Sequence, residues 1–363
     1  MGKGIAGSQG RGAVALADPD LHLVIFAGDG NMMPRIPGIP KRRGTCYCGA
    51  IARGEAAMAG QKRDFEGPTL AMLALTYAVW ALGTTLWHEA AFLALILTAV
   101  AVAQFSSLQH EVLHGHPFAN QMLNEALVFP ALVLVVPYLR FKDTHLVHHY
   151  DPALTDPYDD PESNYLDPDV WAAISRPRQK LLRLNNTLLG RMVLGPALSI
   201  WSFVAGDIAL MRAGNGRVRL AWGLNGLGVA LVLAWLWAVG DMPLWAYGLS
   251  VYLGLALLKI RTFLEHRAHE KFRARTVIIE DRGPLSYLFL NNNFHVVHHC
   301  HPAVPWYRLP GLYAARKDHY RRRNEAYVYG GYGEIFRRYL LAAKDPVPHP
   351  VWPVRKSEAP DME

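Results

Sequence analysis

The sequence predicts an all-α integral membrane protein, with four transmembrane helices arranged as two hairpins and a cytoplasmic helical cap that holds a metal site. Three observations predict it. The 363-residue chain is 51% hydrophobic and only 18% charged, against roughly 25% charge in an ordinary soluble domain. Its apolar residues are gathered into long windows without a charge. Most of its 16 histidines fall in short clusters beside those windows. The same composition excludes disorder throughout, which requires few apolar residues and much charge.

The uncharged windows run, in chain order, over residues 68–87, 90–109, 220–240 and 242–258. A helix needs about 20 apolar residues to cross the hydrocarbon core of a bilayer, and each window is that long or close to it. Only His88-Glu89 separates the first two, and only Asp241 the last two. Each pair therefore reads as a tight transmembrane hairpin rather than a buried hairpin of a soluble bundle. Two further apolar stretches, 126–137 and 194–210, are short or interrupted by Pro130, Pro137, Ser199, Ser202 and Asp207. They are expected to be interfacial or re-entrant rather than spanning.

Orientation follows from the cations. The tight connections contain no Lys or Arg, whereas Lys62, Arg63, Arg140, Lys142, Arg176, Arg178, Lys180, Arg183, Arg212, Arg217, Arg219, Lys259, Arg261 and Arg267 flank the opposite ends. By the positive-inside rule the tight turns face outward and the rest lies on the cytoplasmic face of the inner membrane. The net charge of +7 and the isoelectric point near 9.3 are then explained without nucleic acid, whose binding would interleave aromatics with basic residues in a polar groove.

The flanks carry less information. Residues 1–57 are rich in glycine, include Pro34, Pro37 and Pro40, and show no sustained periodicity. They read as a disordered N-terminal arm, or as an upstream extension of a chain whose folded part starts at Met58. No signal peptide is recognisable. Cys46-Tyr47-Cys48 has no second pair and reads as incidental. Residues 58–330 form the membrane domain, and 331–363 a C-terminal tail.

Twelve histidines lie in four windows totalling 23 residues: His110, His114 and His116; His145, His148 and His149; His266 and His269; His295, His298, His299 and His301. Imidazole is a poor hydrophobe and the commonest metal ligand, so this density points to metal. His145/His148/His149 and His295/His298/His299 stand at i, i+3 and i+4, on one face of a helix. His110/His114 and His266/His269 are i, i+4 and i, i+3 pairs. His116 and His301 would point away from their clusters and are followed at once by Pro117 and Pro302, so each is read as a helix end held in reserve. With the hairpins placed as above, all four clusters converge on one membrane face. About nine neutral nitrogen ligands exceed the four of a tetrahedral zinc and suit two metals of the imidazole-preferring type, iron foremost. His110-Glu111-Val112-Leu113-His114 also matches the H-E-x-x-H zinc protease signature, with Glu111 as general base. That rival leaves the two H-x-x-H-H clusters unexplained, as does a haem carrier or a metal transporter with histidines inside the spans.

These motifs resemble those of the membrane fatty acid desaturase and hydroxylase superfamily. Its three histidine boxes are matched by His110/His114, His145/His148/His149 and His295/His298/His299. Its additional histidine after the last span is matched by His266, with His269 in reserve. Asn291-Asn292-Asn293 before the third box is also typical, and Asn291 falls at i−4 from His295. The likeness spans roughly residues 65–325. It implies a di-iron centre that uses O2 and two supplied electrons to place a double bond in a fatty acyl chain held in an apolar tunnel. No cytochrome b5-like module is recognisable, so the electrons are expected from a separate carrier such as ferredoxin. Hydroxylation or ketolation on the same fold, or desaturation of a specialised metabolite of the dihydrorhizobitoxine type, remain alternatives. The acidic stretch from Asp151 to Glu162, with Asp156 at its centre, would hold imidazole N–H groups or be a solvated loop. The basic residues Arg308, Arg316, Lys317 and Arg321 to Arg323 would dock an acidic donor or face the membrane.

Overall fold

A computed structural model describes residues 65–353, so the N-terminal arm and the Cys46-Tyr47-Cys48 pair lie outside the described residues. The described chain is helical with little strand. Its elements are α1 (Gly67–Thr84), α2 (Trp87–Leu113), α3 (Gln121–Leu127), α4 (Tyr138–His148), α5 (Pro168–Ala173), α6 (Arg176–Asn185), α7 (Leu188–Arg212), α8 (Gly216–Ala238), α9 (Leu244–Thr262), β1 (Ile278–Ile279), α10 (Pro284–Leu288), α11 (His295–Cys300), α12 (Leu309–Ala315), α13 (Lys317–Arg323), β2 (Val328–Tyr329) and α14 (Tyr332–Tyr339). The two strands pair in parallel.

Five of these helices, α1, α2, α7, α8 and α9, are long and apolar enough to cross a membrane. Four of them coincide with the uncharged windows. The fifth, α7, covers the stretch expected to be interfacial, and it is longer than that stretch because Thr187 caps its start, accepting from Gly190 N–H at 3.0 Å. Its polar residue Asp207 is buried but not bare: Arg140 and the Trp222 indole N–H, at 2.8 Å, both bond it.

The hairpin turns meet at one end of the bundle. Asp241 accepts from the backbone N–H groups of Trp87 and His88 at 3.0 and 3.3 Å, and its own N–H donates to Thr84 O at 2.9 Å. The α2 and α9 helices form the buried centre, in contact along their length because Gly254 removes the side chain that would otherwise strike Ala99 O. Apart from a kink at Ala90, α2 runs 27 residues, about 40 Å at 1.5 Å per residue. That exceeds a hydrocarbon core of about 30 Å, so its last turns, with His110, emerge from the apolar layer.

Residues 128–137, expected to be interfacial or re-entrant, are irregular and partly buried between α2, α8 and α9. Non-helical backbone at such depth requires partners for its carbonyls. Within it Tyr247 OH donates to Leu132 O at 2.9 Å and Asn225 to Leu134 O at 2.8 Å, and at its border Tyr77 OH donates to Leu127 O, at the end of α3, at 2.7 Å. A satellite apolar cluster of Leu188, Ile260, Phe263, Val277, Tyr327 and Ile335 packs the cap onto the ends of α7 and α9.

Candidate metal centre

Three helix ends and one turn carry the histidines to a common point. The first pair ends α2, with His114 as its C-cap residue. His145 and His148 close α4, and His149 caps it. Box three occupies the short α11, which is aimed by the asparagine run in front of it. Leu290 and Asn291 take the left-handed conformation at φ 49° and 53°, which asparagine tolerates better than most residues. Asn293 donates to Ile279 O at 2.6 Å, locking the turn to β1.

The nine histidines assemble into two groups, His110, His114, His145, His149 and His298 in one, His148, His266, His295 and His299 in the other. Within each, the ligand nitrogens lie within 4.8 Å of one another. Boxes two and three each contribute to both groups, so one helical face straddles two positions.

The donor chemistry fits a pair of metal ions. Nε2 atoms approach in pairs: His145 and His149 at 2.9 Å, His149 and His298 at 3.2 Å, His148 and His266 at 2.9 Å, His266 and His295 at 3.1 Å. Neighbouring nitrogens about 2.1 Å from one octahedral ion would stand about 3 Å apart. Nε2 of His110 and of His114 are buried with no hydrogen-bond partner, a condition that costs stability unless something binds there. The Nδ1 atoms point outward to acceptors: His145 to Glu162 and His148 to Asp160 at 2.8 Å, His295 to Asn292 at 3.0 Å, His299 to Asp151 at 3.2 Å. An Nδ1–H donated to a carboxylate or amide leaves the Nε2 lone pair facing inward, the tautomer a metal requires.

Electrostatics agree for most of these rings and set His148 apart. Burial, reinforced by neighbouring imidazoles, pushes His114, His149, His266, His295 and His298 well below the usual histidine range. These rings are neutral, the ligand form. Burial also pushes His148 down, but Glu162 and Asp160 outweigh it and lift the ring to about 9. Burial opposes ionisation of Glu162 too, yet His148 and His145 hold its carboxyl far below the usual range.

The remaining candidates go elsewhere. Because α9 ends at Thr262, His266 and His269 do not share a helix face; His269 Nε2 turns to Glu325 at 3.4 Å. His301 Nε2 contacts Tyr320 OH at 3.0 Å. His116 joins Glu66 and Glu111. Asn291 precedes α11, so the i−4 spacing does not bring it to His295; its amide donates to Trp306 O at 3.2 Å, and Asn292 takes the place beside His295. Asp156 accepts from Tyr158 and Asp159 N–H at 2.9 and 3.1 Å and shapes the loop that presents Asp160 and Glu162. Glu111 of the H-E-x-x-H match accepts from Trp306 N–H at 2.9 Å and sits outside the group that holds His110 and His114, contrary to what a general base at that metal needs.

The C-terminal segment closes the site from outside. Lys344 Nζ donates to His266 O at 2.8 Å, His349 Nε2 meets Thr155 Oγ1 at 3.1 Å, and Tyr165 is bonded to Asp345. No sequence signal marks these contacts, since they join residues far apart. Beside α2, a cavity of about 360 Å³ lies between Gln109, Phe129, Tyr138, Leu139, Leu224 and Asn225.

Comparison with known proteins agrees with this geometry. The fatty acid desaturase family model matches residues 85–331. A β-carotene ketolase of Paracoccus sp. (strain N81106 / MBIC 01143) is 26% identical over 228 residues, covering 59% of this chain and 75% of that protein.

Proposed function

The chain belongs to the fatty acid desaturase family, and on that premise we propose that it is an O2-dependent di-iron oxidoreductase that introduces a double bond into a fatty acyl chain. The observation that carries this reading is the division of nine imidazoles into two groups with converging Nε2 atoms. His110, His114, His145, His149 and His298 would hold one iron, and His148, His266, His295 and His299 the other. Bound there, the irons would supply the oxidising power that an unactivated C–H bond demands. The chain itself does the positioning. Glu162, Asp160, Asp151 and Asn292 fix the imidazole tautomers, and the apolar bundle keeps bulk water from the reacting carbon. The cavity beside α2, largely apolar with Gln109, Tyr138 and Asn225 among its polar groups, supports a chain-like substrate drawn from the bilayer. A separate one-electron carrier such as ferredoxin would deliver the two electrons.

In this reading α1, α2, α8 and α9 cross the inner membrane and the metal site faces the cytoplasm. What supports the count of four is that α7 touches the histidine end of the bundle at both its ends: Leu188 packs with Ile260 and Phe263, and Asp207 bonds Arg140 of α4. The distribution of Lys and Arg supports the orientation.

A second reading, ketolation or hydroxylation of an apolar metabolite, is favoured by the likeness to the β-carotene ketolase. One experiment tests both. The purified protein is assayed for metal, and membranes of cells expressing it are profiled for lipids and pigments. Two irons per chain and new double bonds in acyl chains, both lost in H298A, are expected. Oxygenated products with unchanged unsaturation would select the second reading, and a single tightly held zinc without iron would overturn both.

A further inference from the structure

Glu66, Glu111 and His116 belong to neither histidine group, yet their ligand atoms lie within 4.8 Å of one another. They come from three places: the residue that precedes α1, the last turn of α2, and the turn after it. His116 is only 5% exposed. Its Nδ1 lies 2.8 Å from Glu66 Oε1, so that nitrogen carries the proton and donates it. Its Nε2 is buried without a hydrogen-bond partner and faces Glu111 Oε1 across 3.9 Å.

That gap is informative. A second N–H at Nε2 would be too far from Glu111 to donate. The two atoms nevertheless face each other, and both can serve as donors to one positive centre placed between them. A divalent ion about 2.1 Å from each atom would bring a tetrahedral pair of ligands to about 3.4 Å, a closure of about half an ångström. The arrangement of carboxylate, imidazole and inward Nε2 also repeats that of Glu162 with His145 and Asp160 with His148. Two carboxylates balance the charge of one divalent ion, which makes their burial beside an apolar bundle tolerable.

We propose that Glu66, Glu111 and His116 form a third, mononuclear cation site, separate from the paired centre, for a divalent ion of the manganese, iron or zinc class. His116 Nε2 and a Glu111 oxygen are the ligands, and Glu66 orients the imidazole and supplies the second negative charge. Mixed oxygen and imidazole donors suit that class of ion. The ion would tie the start of α1 to the end of α2. Through the bond from Trp306 N–H to Glu111 at 2.9 Å it would also reach the segment behind box three. Its role is structural, and it requires no substrate.

Full-length protein in detergent, stripped with a chelator and reloaded with Mn2+ alone, tests this. Wild type is expected to take up three ions per chain and to show, beside the signal of a coupled pair, the six-line electron paramagnetic resonance spectrum of an isolated Mn2+. H116A should lose the six-line signal and one ion while keeping the pair, so the fate of the paired centre is read separately. E66Q, which preserves the hydrogen bond to Nδ1 and guards against a folding failure of H116A, should weaken the isolated site about tenfold or more. A six-line signal missing from wild type at saturating Mn2+, or unchanged in both variants, overturns the proposal.

Discussion

Each imidazole of the paired centre has two ends, and its behaviour depends on both. Where Nδ1 meets Glu162, Asp160, Asp151 or Asn292, the ring is turned and its tautomer chosen before a metal arrives. Replacing Asp160 by Asn keeps the shape but removes the carboxylate at His148 Nδ1, which together with Glu162 lifts that ring to about 9. D160N should weaken metal binding at the paired centre about 10- to 100-fold, measurable by competition with a chelator. The other rings give metal-free protein a pH dependence with a definite sign. His114, His149, His266, His295 and His298 are depressed by burial, whereas an unfolded histidine titrates near about 6.5. Above that pH both states leave these rings neutral. Below it the unfolded chain binds protons that the folded chain refuses, so stability falls as pH drops from 7 to 5. His148 acts the other way, its contribution being complete below about pH 6.5 and lost through about 9, and His116 is raised as well, but the depressed rings, His145 among them, outnumber these two. Thermal melts of chelator-treated protein from pH 5 to 8 check this, and a midpoint that rises toward pH 5 would contradict it. The inward ends of these rings were legible in the sequence, because i, i+3, i+4 spacing is a property of helices alone. The outward ends were not: whether Asn291 or Asn292, Asp156 or Asp160, meets an imidazole depends on left-handed turns and loop geometry that no periodicity encodes.

Among the elements, the contact of α2 with α9 holds the first box against the last span. Small residues allow it, as between membrane helices generally. A Cβ on Gly254 would stand 2.8 Å from Ala99 O and from Val102 Cγ1, and backbone cannot give way as a flexible side chain can. G254L should therefore cost about 1–3 kcal/mol or more through overpacking, read as a lower melting midpoint in detergent, whereas G248L, where nothing lies within 4 Å, should leave it unchanged. The segment at 128–137 supplies the opposite kind of test. N225L keeps the volume of the side chain but deprives the half-buried Leu134 O of its donor, which should lower the melting midpoint in detergent by the equivalent of about 1 kcal/mol. The hairpins were legible because twenty residues without a charge have few soluble uses. This segment was legible only as something shorter than a span, because its carbonyls are met by Tyr247 and Asn225 from two different helices, with Tyr77 of a third at its border.

At the scale of the molecule, the question is how five long apolar helices serve one metal site. Asp241 clasps the two hairpin turns together, so α1, α2, α8 and α9 share one far end, and all nine clustered histidines lie at the other. The connection from α4 to α8 starts and finishes at that histidine end, and α7 is part of it. A single crossing by α7 would leave the start of α8 beside the clasped turns, yet Arg217 there pairs with Asp143 of α4 at 2.5 Å, and Trp222 bonds Asp207. Length and hydropathy count α7 as a span, whereas under the proposal of four spans the contacts of its two ends would lay it along the interface at the histidine end, with its apolar side toward the acyl chains. Single cysteines distinguish the two cases in a chain whose Cys46 and Cys48 are replaced and whose remaining Cys300 is buried. A membrane-impermeant maleimide should label H88C in intact cells and A213C only in inside-out vesicles. If A213C were labelled from the same side as H88C, α7 would cross, and the proposal of four spans would fall with it.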